Sequence, residues 1–269
     1  VCVCVCVLVC ACLHVKRFNS FPSCSGCSRY MWDYMQQLGL NVKDTAYGEQ
    51  SVMGVFDGTE IHEAVLTLLA IKEAGHEYMC FAPNVNQHHV INHLNGDEMQ
   101  EERNVPIESA RIARGEIKDI AEVKPGDIDA LVMPGGFGTA KNITKWAFKG
   151  PDGEINPQVR DFLISMVEAK KPICALCMSP TTLAKALEGT DYHARLTVGS
   201  TEEKSPYDIS GISSGMEAVG VKPEMKTVKE VAVDEDMKIV TAPCYMMEAD
   251  ILEVRNNIKL AVEEMLKML

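Results

Sequence analysis

The chain has 269 residues, of which 46% are hydrophobic and 24% charged, and its 26 Lys and Arg against 38 Asp and Glu give a formal net charge of −12. That length buries a proper core, as one large α/β domain or two small ones. The acidic balance excludes a surface built for nucleic acid or anionic lipid, since both reward clustered Lys and Arg.

Of the 11 cysteines, Cys2, Cys4, Cys6, Cys10, Cys12, Cys24 and Cys27 crowd the start, leaving Cys80, Cys174, Cys177 and Cys244 for the rest. Four are too few for a disulfide framework, so the body of the chain reads as intracellular and thiol-reduced. The opening "VCVCVCVLVCAC" is what repeated GTG-TGT codons give on translation. Residues 1–50 are therefore expected to be an unstructured extension, with two origins open: a gene-model artefact or an organellar transit segment. The second fits Lys16, Arg17, Arg29 and several serines, with no acidic residue before Asp33. It points to an organelle, with the cytoplasm as the alternative. The apolar run from Val1 to Val15 is too short for a spanning helix, so no membrane partner is expected.

From residue 51 the pattern becomes regular. "DGTEIHEAVLTLLAIKEAG" gives a turn at Asp57-Gly58, an N-cap at Thr59, and an apolar helical face from Ile61 to Ala74 stopped by Gly75. "EYMCFAP" is a short strand closed by Pro83, and the polar stretch 84–106 is a functional loop or small subdomain. "IESARIARGEI" is helical. "DIDALVMPGGFG" is a buried strand running into a glycine turn, "NPQVRDFLISMVEAK" a helix, "KPICAL" a buried strand, and "SPTTLAKALEG" a helix ended by Gly189. "ARLTVG", "KEVAVDED" and "KIVTAPC" are further strands before a long closing helix from Met247. Strands of continuous apolar residues alternating with helices imply one α/β domain with a mostly parallel sheet covered on both faces.

In such sheets working groups gather where strands end and helices begin. Cys177 stands at such a junction, after the strand Ile173 to Leu176 and before a helix starting near Ser179-Pro180. There it is expected to be exposed, with its thiol pKa lowered by the helix N-terminus. Cys174 falls within the strand and reads as core. A thioredoxin-type pair would need both cysteines on a first helical turn, and zinc would need two more ligands. His89 and His93 have helical spacing but no third ligand, so no metal is expected.

The stretches "GVFDGTEIHEAVLTLLAIKEAG", "RNVPIESARIARG", "MPGGFGTAKN", "KPICALCMSP" and "KIVTAPCYM" together resemble the ElbB-like family. These are the bacterial isoprenoid biosynthesis proteins with an amidotransferase-like domain and their mitochondrial animal relatives, in the ThiJ/PfpI branch of the class I glutamine amidotransferase-like superfamily; the resemblance makes the mitochondrion the expected compartment. The resemblance implies that residues 51–269 form one flavodoxin-like, doubly wound domain. It implies a nucleophile elbow at Cys177, an acidic residue beside the sulfur at Glu63, and oxyanion-holding amides at Gly135 and Gly136. Glu60, His62 and Ser200 are further candidates to line the pocket. The family's first strand should directly precede "GVFDGTE", but that place holds the polar "KDTAYGEQSVMG".

A glutaminase needs a histidine downstream of its cysteine. Only His193 follows Cys177, and it precedes the strand "ARLTVG"; after that strand comes "GSTEEK", with Ser200 and Thr201. Glutamine hydrolysis is therefore not expected. Two readings remain. One is a cofactor-independent glyoxalase-type enzyme on a small aldehyde or dicarbonyl, taking glyoxal to glycolate through the Cys177 thiolate. The other is a non-catalytic, redox-sensing or protective protein whose Cys177 oxidises. A homodimer is the candidate assembly.

Overall fold

The structure is a computed structural model that describes the backbone of residues 4–8 and residues 56–269. The chain runs β1 (Cys4–Leu8), α1 (Ile61–Glu73), β2 (Glu77–Ala82), α2 (Val105–Ala113), β3 (Ile117–Asp119), β4 (Ala130–Met133) and the single-turn α3 (Trp146–Lys149). It continues through α4 (Pro157–Glu168), β5 (Ile173–Leu176), α5 (Ser179–Leu187), β6 (Arg195–Gly199), α6 (Ile209–Ala218), β7 (Lys222–Met225), β8 (Ala232–Asp234), β9 (Ile239–Ala242) and α7 (Ile251–Leu266).

Among the described residues seven strands form the main sheet, in the order β3-β2-β1-β4-β5-β9-β8. All pairs are parallel except β8 with β9. Every residue of β4, β5 and β9 is buried, as strands covered on both faces must be. The strand order reverses between β1 and β4. Right-handed crossovers running opposite ways from that point lay α1 and α4 on opposite faces of the sheet. The reversal also opens a crevice at the carboxyl ends of the strands, where the candidate residues lie.

Two expectations are corrected here. Composition sets the whole span 1–50 outside the fold, yet Cys4–Leu8 is the strand between β2 and β4, with Cys6 opposite Met79 on one side and Leu131 on the other. The strict alternation that resembles a codon repeat is also a strand pattern, and it fills the place for which "KDTAYGEQSVMG" is unsuited. The remainder of 1–50 lies outside the described residues. The second correction concerns β6, which leaves the main sheet to pair in parallel with β7.

Helix starts follow local chemistry. Asn156 caps α4 by accepting from the Gln158 and Val159 amides, and Asp250 with Glu253 forms a capping box on α7. For α1 the cap is Glu60 and not Thr59, because Glu60 Oε2 accepts the Glu63 amide at 2.6 Å. Among the described residues no helix is long and apolar enough to cross a membrane.

Candidate active site

Three turns converge at the strand ends. The first is the glycine turn after β4. Gly135 O accepts the Glu60 amide at 3.0 Å and Gly58 O accepts the Gly138 amide at 2.8 Å, so this turn is interlocked with the one that starts α1. A side chain on Gly136, whose φ is +99°, would put its Cβ 2.4 Å from the Glu60 nitrogen. Only glycine lets the two backbones approach this closely.

The second turn carries Cys177 from β5 into α5. Its φ is +56°, a left-handed conformation that costs a non-glycine residue of the order of 1–3 kcal/mol unless its surroundings impose it. They do: the Cys177 amide donates to Ala242 O at 2.8 Å, and Ser179 Oγ donates to Pro134 O at 2.5 Å. The third turn follows β9 and carries Cys244 and Tyr245.

Glu63 joins all three. Its Oε2 accepts the Gly135 amide at 2.9 Å, its Oε1 accepts the Tyr245 amide at 3.3 Å, and the Cys177 thiol donates to the same carboxylate. Gly136 directs its amide at the Cys177 sulfur. Glu60 sits one helical turn earlier, with Oε1 buried and without a hydrogen-bond partner among the described residues. His62 Nδ1 lies 4.0 Å from that oxygen and 2.9 Å from the Tyr245 hydroxyl. Tyr207 brings its ring against Phe137 and lies within electrostatic reach of Cys177, Glu63 and Glu60.

The structure therefore brings Cys177, Glu63, Gly135, Gly136, Glu60 and His62 together. Ser200 is directed elsewhere: its amide points at Met247 Sδ at 3.4 Å and its Oγ accepts the Glu202 amide at 3.0 Å. Gly135 is corrected as an oxyanion donor, because its N–H is spent on holding Glu63. His193, the only histidine after Cys177, bonds Gly220 O at 2.7 Å ahead of β6. His89 packs against Phe148, while His93 accepts the Phe56 amide at 3.3 Å. Among the described residues no group of three or more His, Cys, Asp or Glu is placed to hold a metal ion.

Electrostatics correct a further expectation. Cys177 is 3% exposed, and burial, then the Glu63 charge, push its thiol well above its ordinary pKa, with only the Gly136 amide pulling the other way among the main influences. Desolvation outweighs the helix N-terminus. Burial likewise raises Glu63 to about 7 against the pull of its three hydrogen bonds. Glu60 rises to about 8 through burial and then the Glu63 charge. Near neutral pH Cys177 rests as a thiol, and Glu63 is the group poised to change state.

These two raised carboxyls set a sign for stability. Between their unfolded pKa near 4.5 and their folded values of about 7 and about 8, the folded state holds protons that the unfolded chain has lost. Their contribution is therefore full below that window and is lost as pH rises through it. Glu60→Gln is expected to flatten the dependence, matching wild type near pH 5 and exceeding it above pH 8 by a few kcal/mol. The scale is set by proton affinity, each tenfold change in which is worth about 1.4 kcal/mol. Thermal melts across pH 5–9 read this directly; parallel curves for the two proteins would contradict it.

The comparisons with known proteins agree with this architecture. The model of the DJ-1/PfpI family matches residues 50–201, more than half of the chain. The ES1 protein homolog, mitochondrial, of Rattus norvegicus is 40% identical over 219 residues, covering 80% of each chain. The human glutamine amidotransferase-like class 1 domain-containing protein 3, mitochondrial, is 41% identical over 219 residues, again 80% of each. Among solved structures, the isoprenoid biosynthesis protein with amidotransferase-like domain from Ehrlichia chaffeensis aligns over 99% of both chains with a TM-score of 0.75 and 25% identity. Both curated relatives carry the mitochondrion in their names, the compartment that the resemblance leads one to expect. With its fold that of the class I glutamine amidotransferases, this chain is a member of the DJ-1/PfpI family.

Proposed function

We propose that the protein is a glyoxalase-type enzyme that converts a small reactive dicarbonyl, glyoxal in the simplest case, to the hydroxy acid. The observation that carries this reading is the Cys177 thiol donating to a buried Glu63 whose pKa lies at about 7. A carboxylate in that range is matched to taking up and returning protons at neutral pH.

The steps follow from these two groups. Cys177 sulfur adds to one carbonyl carbon of glyoxal as Glu63 takes the thiol proton and passes it to the new hydroxyl, giving a hemithioacetal. Glu63 then removes the proton on that carbon and returns it to the neighbouring carbon through an enediol. The product is a thioester of glycolate, and water cleaves the carbon–sulfur bond to release glycolate and the thiol. One water is consumed and no net oxidation occurs. The Gly136 amide stabilises sulfur each time it carries negative charge. The thiol is only 3% exposed, which favours a small substrate.

Purified protein is tested with glyoxal and methylglyoxal beside Cys177→Ser. Glycolate and lactate are expected from wild type only; equal yields from the two proteins would end the enzyme reading.

A further inference from the structure

Cys244 is left unused by this chemistry, yet its setting matches that of Cys177. Among the described residues five that are not glycine have positive φ: Arg114, Lys170, Cys177, Lys238 and Cys244. Arg114 and Lys170 are exposed and Lys238 half-buried, at helix ends and a strand-to-strand turn where such a conformation is ordinary. The two cysteines are the buried members, at 3% and 0% exposure, and each follows the carboxyl end of a strand.

Those strands are neighbours. Leu176 of β5 is opposite Ala242 of β9, and the Cys177 amide donates to Ala242 O at 2.8 Å. Cys244 thus stands one residue beyond the position facing Cys177. The chain passes from Ala242 through Pro243 straight into the turn that holds Cys244, so the two cysteines stand on adjacent turns at the carboxyl ends of paired strands. The turn holding Cys244 is fixed from both sides. Its amide donates to Asn257 Oδ1 at 3.0 Å, and the next amide, of Tyr245, donates to Glu63 Oε1 at 3.3 Å. The turns that carry the two cysteines therefore meet at one carboxylate, whose charge acts on both thiols. Cys174 differs in lying within β5, with every residue of that strand buried.

We propose that Cys244 is the resolving thiol of Cys177, and that the two form an intramolecular disulfide under hydroperoxide. Cys177 sulfur attacks the peroxide as Glu63 takes the thiol proton; the oxygen–oxygen bond breaks, Glu63 passes that proton to the departing oxygen, and water leaves with Cys177 as a sulfenic acid. Cys244 sulfur then attacks Cys177 sulfur. The sulfur–oxygen bond breaks, the departing hydroxide takes the Cys244 proton, and a second water is released. The peroxide is reduced by two electrons and the thiol pair is oxidised by two. The step needs no aldehyde and stands apart from the enzyme reading. Its consequence is that Cys177 is diverted from the irreversible sulfinic state.

The test is peptide mapping of the full-length protein after one equivalent of hydrogen peroxide, digested without reductant after blocking free thiols. The expected result is a cross-linked pair containing Cys177 and Cys244, retained in Cys174→Ser and restored to thiols by dithiothreitol. In Cys244→Ser, and in Cys244→Ala as a check on folding, Cys177 sulfinic acid is expected to accumulate about tenfold faster than in wild type. Wild type giving Cys177 sulfinic acid with no Cys177–Cys244 cross-link would overturn the proposal, and that arm requires no variant to fold. A cross-link joining Cys177 to Cys174 would overturn it equally.

Discussion

Glu63→Gln is expected to lower the turnover of glyoxal by about 10²–10⁴-fold, the range over which a positioned acid or base acts. The substituted amide keeps an oxygen for one of the two backbone N–H groups that hold the side chain, at Gly135 or Tyr245, so the loss is of proton transfer and not of the fold. The pH profile separates this from a merely structural effect. Wild-type kcat/KM is expected to rise through about pH 7, because Glu63, raised to about 7 by burial, must be ionised to accept the thiol proton. That rising limb is expected to vanish in Glu63→Gln and to persist, shifted, in Glu63→Asp. A Glu63→Gln enzyme within threefold of wild type, or one keeping the same profile, would remove Glu63 from the mechanism.

Gly135→Ala is expected to destroy the site while leaving most of the fold. The added Cβ would lie 2.4 Å from Cys177 Cβ, 2.8 Å from Cys177 Sγ and 2.8 Å from Glu63 Oε2. None of these can swing aside. Cys177 is tied by its amide to Ala242, and Glu63 by two backbone amides and the thiol. Overpacking of this kind costs about 1–3 kcal/mol, roughly 2–4 °C in Tm per kcal/mol for a chain of this size. The thiol–carboxylate contact should be lost with it, so activity falls further than stability. Gly189→Ala is the control: its φ is +74° but a Cβ there meets nothing within 4 Å, so only backbone strain is added. Equal melting losses in the two variants would show that the close approach at Gly135 carries no special weight.

The sheet's carboxyl-end chemistry was legible because it rests on short-range signals. "KPICAL" and "DALVM" are apolar runs ended by turn residues, and those signals located β5, β4 and the elbow within a residue or two. The burial of Glu60 and Glu63 was not legible from helical spacing alone, since the same spacing describes a solvated face. It follows from the interlocking of the α1 start with the turn after β4, a contact spanning some seventy residues of sequence. The same long-range packing reversed the expected direction of the Cys177 shift. Tyr207 and Tyr245 carried no periodic signal and enter the site through their turns. Helix α6 and β7 were missed because "ISGISSGMEA" is poor in strong helix formers and Pro223 sits inside a strand. Pro223 is tolerated because the pair β6-β7 leaves β7 at an edge.

The position of β1 also bears on how the chain reaches this state. Its two neighbours, β2 and β4, end at Ala82 and Met133, so the strand made first cannot be flanked on both sides until half of the chain has followed it. Contacts so distant in sequence slow folding. Until they form, an alternating valine and cysteine strand is left as an open edge, able to pair with another copy or to oxidise. Refolding yield is therefore expected to fall as concentration rises and to improve with reductant.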